Sequence, residues 1–192
     1  MLQQLKKLFI IILFIFPLSG CIPAAFVVGA AAGGSIIYDK RPVKTMMHDR
    51  HISQTSQNLI DQDPQLQDHS HISIAAFNGI VLMVGQAATP QLRQHAYDLV
   101  NQVKGIKRIY NEVTVSGNTS LLTRSNDAWI TGKIKSAMLA KPGLQSSQIK
   151  VITEDGIAYL MGLVSQKQAA LAVDAARKIS GVRKVVKVFQ YT

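Results

Sequence analysis

Few side chains in this sequence could do chemistry: one cysteine (Cys21), two closely spaced histidines (His69 and His71), and a tryptophan with a lysine one turn away (Trp129 and Lys133). An extended His69-Ser70-His71 would put both imidazoles on one face, with Asp68 beside them. A zinc-type site needs three or four converging ligands, however, and the single cysteine adds none here. A polar strand entrance explains the cluster, so no metal and no cofactor is expected. No serine or cysteine stands in a recognisable nucleophile turn, and Gly29, Gly33 and Gly34 do not open a helix after a strand as a phosphate-binding loop requires. The sequence points away from an enzyme.

Cys21 has a different setting. Lys6 and Lys7 precede the unbroken apolar run Leu8–Phe16 and then Pro17. This is the charged-then-apolar layout of a secretory signal, too short to cross a bilayer comfortably. It ends in Leu18-Ser19-Gly20-Cys21, which resembles the bacterial lipobox, whose cysteine is lipidated and becomes the first residue. Residues 1–20 are thus expected to be a signal peptide and Cys21 the lipidation site, carrying palmitate-type chains. Several acyl chains would hold the protein durably, at about 0.8 kcal/mol per buried methylene. Ile22, where an inner-membrane retention signal would place Asp, favours the outer membrane by the same resemblance. Residues 21–46 are Ala/Gly-rich and then basic, and read as a tether.

Cleavage would leave 19 basic and 11 acidic side chains, a net charge of +8. Residues 121–192 hold 11 basic and only 4 acidic of these. Export puts nucleic acid out of reach, which leaves anionic phospholipid as one partner for a basic surface. Such a surface attracts about 1 kcal/mol per Lys or Arg near it. The other reading is that the charge only keeps the protein soluble.

The positioning elements come from an internal repeat. His71–Gly85 aligns with Gln148–Gly162, and Asp49, Ile52 and Ile60 align with Asp127, Ile130 and Met138. Downstream, Ala96, Asp98 and Gly105 fall on Ala172, Asp174 and Gly181. Turn glycines and apolar positions recurring together mark a duplicated unit. Each unit starts with a helix, near 49–61 and 126–140; the second carries Ile130, Ile134, Ala137 and Met138 on one face. A hairpin then turns at Asn78-Gly79 or Asp155-Gly156, pairs suited to positive φ at both turn positions. The next helix begins after Thr89-Pro90 or Ser165, where Gln168 stands at the capping-box position. Gly105 and Gly181 are expected as its left-handed caps. A last strand, near 107–115 and 183–191, closes the unit.

The fold class is therefore α+β: two α-β-β-α-β domains at 47–116 and 125–192, joined by a linker at 117–124, each with two helices on a small mixed three-stranded sheet. Ile80–Val84 is apolar at every position, so both sheet faces should be covered, with the other copy as the candidate cover.

The sequence resembles the BON (bacterial OsmY and nodulation) domain family, in the tandem form found in outer-membrane lipoproteins. Carrying this are Leu18-Ser19-Gly20-Cys21, Gly79-Ile80-Val81-Leu82-Met83-Val84-Gly85-Gln86, Tyr110-Asn111-Glu112-Val113, Ser125-Asn126-Asp127-Ala128-Trp129-Ile130-Thr131 and Tyr159-Leu160-Met161-Gly162-Leu163-Val164. The resemblance implies a lipid anchor at the periplasmic face of the outer membrane. It also implies binding of anionic phospholipid (phosphatidylglycerol or cardiolipin) by the second domain, and support of envelope integrity and cell division. It places lipid contact on the 126–140 helix, at Trp129 with Ile130, Lys133 and Lys135. The residues alone give Trp129, Lys133 and Ser136 on one flank, and Trp suits a membrane interface. The competing reading packs Trp129 on the domain edge and makes the protein an envelope scaffold that binds a protein partner without recognising lipid.

Overall fold

The computed structural model describes residues 41–192; Cys21, the signal segment and most of the tether lie outside the described residues. Helix α1 (Val43–Gln62), strands β1 (Ser70–Phe77) and β2 (Ile80–Ala87), helix α2 (Pro90–Asn101) and strand β3 (Arg108–Val115) form the first unit. Helix α3 (Leu121–Leu139), strands β4 (Ile149–Glu154) and β5 (Ile157–Val164), helix α4 (Gln166–Arg177) and strand β6 (Lys184–Tyr191) form the second. Each sheet is mixed: β2 and β5 are central, antiparallel to β1 and β4 and parallel to β3 and β6.

Both hairpins turn where the sequence placed them. Asn78 and Gly79 have φ of 50° and 78°, Asp155 and Gly156 of 46° and 71°. One buried carboxylate from the preceding helix holds each turn. Asp49 accepts hydrogen bonds from the Asn78 N–H (2.7 Å) and the Gly79 N–H (2.9 Å). Asp127 accepts them from Asp155 (2.7 Å) and Gly156 (2.8 Å). The aspartates aligned by the repeat are therefore the clamps that fix each first helix to its hairpin.

The two-residue period of a strand divides the central strands between two cores. Val81 and Met83 face α1 and α2, packing on Ile52, Ile60, Ala96 and Val100. Ala158 and Leu160 do the same under α3 and α4, with Ile130, Ile134, Met138 and Ala172. The alternate residues, Leu82 and Val84 on one side and Tyr159, Met161 and Val188 on the other, meet in a third core with Ala75 and Phe77. The second copy does cover the outer sheet face of the first, giving a helix–sheet–sheet–helix sandwich. One polar link crosses near this core: the buried Gln86 amide donates to Glu154 at 2.7 Å, and its carbonyl oxygen accepts from the N–H and hydroxyl of Thr119. Burial pushes the Glu154 carboxyl up, against the lowering pull of the Gln86 hydrogen bond.

Several boundaries differ from the sequence reading. Helix α1 begins at Val43, inside the stretch taken as tether, and α3 begins at Leu121, inside the stretch taken as linker. The Ser120 hydroxyl accepts from the Thr123 N–H, so the cap precedes two leucines that a linker reading hides. Gly105 and Gly181 do not cap α2 and α4, which end at Asn101 and Arg177. They lie further on, with φ of 90° and 96°, where the chain passes close to the first helix. A Cβ on Gly181 would sit 2.7 Å from the Ile130 side chain. The capping box at Ser165 is half formed: its hydroxyl accepts from the Gln168 N–H, while the Gln168 side chain binds Gly143 and Gln145 instead.

Candidate functional site

Helix α3 is apolar on two sides. Its inner face is held by Ile130, Ile134 and Met138, all fully or almost fully buried. Its outer side carries Trp129 at 67% exposure, Leu122 at 81% and Leu139 at 54%, with Leu121 also exposed. Leu122 and Trp129 are seven residues apart, two turns on one line, and Leu121 and Leu139 lie on the adjoining flank. Single exposed apolar residues are ordinary, but a line of them on one helix makes this face the candidate interaction surface.

Lys133 completes this face. Its ammonium lies 5.9 Å from the centre of the Trp129 ring and donates to the Ser180 carbonyl at 3.1 Å. The close approach at Gly181 makes that second contact possible, because it brings the 180–181 loop against α3. The lysine stem is thereby fixed beside the indole, with its charge at the outer rim.

Two of the four residues expected at this surface are not on it. Ile130 has 0% exposure and belongs to the core of the second domain; a residue one position from an exposed one turns about 100° around a helix, here enough to face inward. Lys135 is exposed but lies roughly 120° around α3 from Trp129, by the same angular step, in a groove between the domains lined also by Arg41, Arg50 and Lys150. Leu121, Leu122 and Leu139 were missed; the leucine pair directly after a serine cap was the available signal. In the first domain His51 and Thr55 hold the positions of Trp129 and Lys133, and the most exposed apolar residues of α1, Val43 and Met47, lie at its start instead.

His69 and His71 stand apart from this surface. Burial, with Arg124 adding to it, holds the His71 imidazole below its usual range. Among the described residues no three His, Cys, Asp or Glu side chains come together as a metal-binding group. Among the same residues no helix is long and apolar enough to cross a membrane.

Comparison with known proteins agrees with this architecture. The BON domain family model matches residues 48–117 and again 126–192. The chain is 36% identical over 190 residues to the outer membrane lipoprotein DolP of Haemophilus influenzae, covering 99% of this chain and 98% of that one. It is 36% identical over 153 residues to a 21 kDa hemolysin of Actinobacillus pleuropneumoniae, covering 80% and 79% of the two chains. It is 27% identical over 128 residues to the osmotically inducible protein Y of Escherichia coli, covering 62% and 64%. The chain belongs to the BON domain family. Within it, the tandem arrangement and the near full-length match make this an outer-membrane lipoprotein of the DolP type.

Proposed function

We propose that this lipoprotein is anchored through Cys21 to the periplasmic face of the outer membrane and binds anionic phospholipid with the outer side of α3. Trp129 and Leu122 enter the interfacial region of the bilayer, and Lys133 meets a headgroup phosphate. The single observation that carries the reading is the exposed apolar line on α3 with a lysine held against its tryptophan. Indole suits that depth because its ring and its N–H each find a partner there. The excess of basic over acidic side chains in 121–192 acts in the same direction. Phosphatidylglycerol and cardiolipin are the matching lipids. The role is non-catalytic support of envelope integrity, with action at the division site as the family resemblance implies.

Trp129 is the only tryptophan in the chain, so its emission reports on this face alone. The full-length lipoprotein should be reconstituted into vesicles with and without phosphatidylglycerol, at low and moderate salt. A blue shift that needs the anionic lipid, weakens with salt and is quenched by brominated acyl chains is expected. Emission unchanged by phosphatidylglycerol at both salt levels would remove α3 as a lipid-reading surface and leave a protein partner for it.

A further inference from the structure

We infer that the groove between the two domains is a second anion site, built by Arg50, Lys135 and Lys150 to hold a phosphate group. It has a volume of about 420 Å³ and an apolar floor that includes Met46, Phe77 and Ile149. This inference stands apart from the lipid reading of Trp129, since Lys135 lies roughly 120° around α3 from that residue and lines the groove instead.

The charge in the groove is unbalanced. Among the described residues Asp49 is the only carboxylate lining it, and that group already accepts from the Asn78 and Gly79 N–H groups and from Arg41 at 2.7 Å. Arg41 is also stacked on the Phe77 ring, 3.8 Å from its centre, and so forms a fixed wall. Arg50 and Lys135 have no hydrogen-bond or ion-pair partner among the described residues, and the Lys150 ammonium has only the Ala76 carbonyl at 3.3 Å. Burial holds the Lys150 ammonium below the usual lysine range, with Arg41 and Lys135 adding positive charge against the opposite pull of Asp49.

The first repeat carries no cation at the places of Lys135 and Lys150. Lys135 occupies the place of Gln57, whose amide is used locally, donating to the Ile72 carbonyl (2.9 Å) and accepting from the Ile74 N–H (2.9 Å) to bind α1 to β1. Lys150 occupies the place of Ser73. In the second domain both positions instead place positive charge in the groove that Arg50 of the first domain also lines. Three cations from three elements, α1, α3 and β4, suit the tetrahedral oxygens of phosphate better than a planar carboxylate, and a groove of this size falls in the small-ligand range.

The test is trace acylation of lysines in the full-length protein in non-ionic detergent, read residue by residue by mass spectrometry. Inorganic phosphate and glycerol phosphate, each against chloride at equal ionic strength, should slow labelling of Lys150 and Lys135 several-fold and leave Lys167 unchanged. Arg50→Gln should abolish that protection without altering the thermal melt. A second arm replaces soluble phosphate with phosphatidylglycerol vesicles, phosphatidylcholine serving as the control. Protection in both arms assigns the site to a headgroup, and protection by soluble phosphate alone assigns it to a free phosphate ester. Uniform slowing of all lysines, no slowing at all, or protection only by a polyglutamate peptide would overturn the phosphate site.

Discussion

Replacing Asp127 by alanine tests the clamp that gives each repeat its shape. The carboxylate is buried and accepts two backbone hydrogen bonds, at 2.7 Å from Asp155 and 2.8 Å from Gly156. A hydrogen bond to a charged group contributes about 1.5–3 kcal/mol, and an abandoned buried donor keeps the full desolvation cost. Asp155 is exposed, so its N–H regains water; the Gly156 N–H is buried with its bond and does not. The expected loss is therefore about 2–4 kcal/mol rather than the sum of two full bonds. Urea unfolding of the full-length protein in non-ionic detergent, followed by far-ultraviolet circular dichroism, should show it as a midpoint lower by roughly 1–2 M with the slope retained. Asp127→Asn keeps one acceptor but turns an amide donor toward a backbone donor, so it should lose at least half as much. Asp49→Ala should cost more than Asp127→Ala, because Asp49 also neutralises Arg41. A loss below about 1 kcal/mol in Asp127→Ala, or an Asn variant as stable as the native protein, would refute the view that a carboxylate holds the turn.

The other predictions concern the join between the domains. Met161 is fully buried in the core between the sheets, so Met161→Ala should cost about 2–5 kcal/mol. Limited proteolysis should then cut at Ser116–Ser120 more readily, while cleavage within either helix–sheet core stays unchanged. Glu154 has a carboxyl raised by burial, so its neutral form is the one the fold favours. That contribution is complete below the ordinary carboxyl range and is lost as pH rises through the raised value. Glu154→Gln should thus melt higher than the native protein near pH 7 and show no advantage near pH 4, as thermal melts across that range would register; an equal difference at both pH values would contradict it. The lowered carboxyls of Asp63, paired with His95, and of Asp174, bonded to Lys141, Lys178 and Arg177, act oppositely and lose stability in acid, but they are common to both proteins and cancel in the comparison.

Local chemistry was legible in the residues themselves. Turn pairs that tolerate positive φ, a serine or threonine before a helix, and apolar residues at a period of two or near four act over a few residues, so the α-β-β-α-β order and its duplication could be read directly. The same locality explains the misplaced glycines: Gly105 and Gly181 look like helix caps in sequence, but they take their positive φ further on, where the chain also passes close to the distant His48 ring and Ile130. The helix period shows that α3 has one apolar face, and it cannot show which flank meets water, a membrane or the other domain. Only the packed structure decided that Ile130 is core, that Trp129 and Leu122 point outward, and that Lys135 turns to a groove shared with Arg50 and Lys150. The physical reason is that a strand or helix sets the angle between its own side chains, whereas the direction each angle faces is set by which sheet faces bury one another. That choice was made when Leu82 and Val84 met Tyr159 and Met161 across residues far apart in the chain.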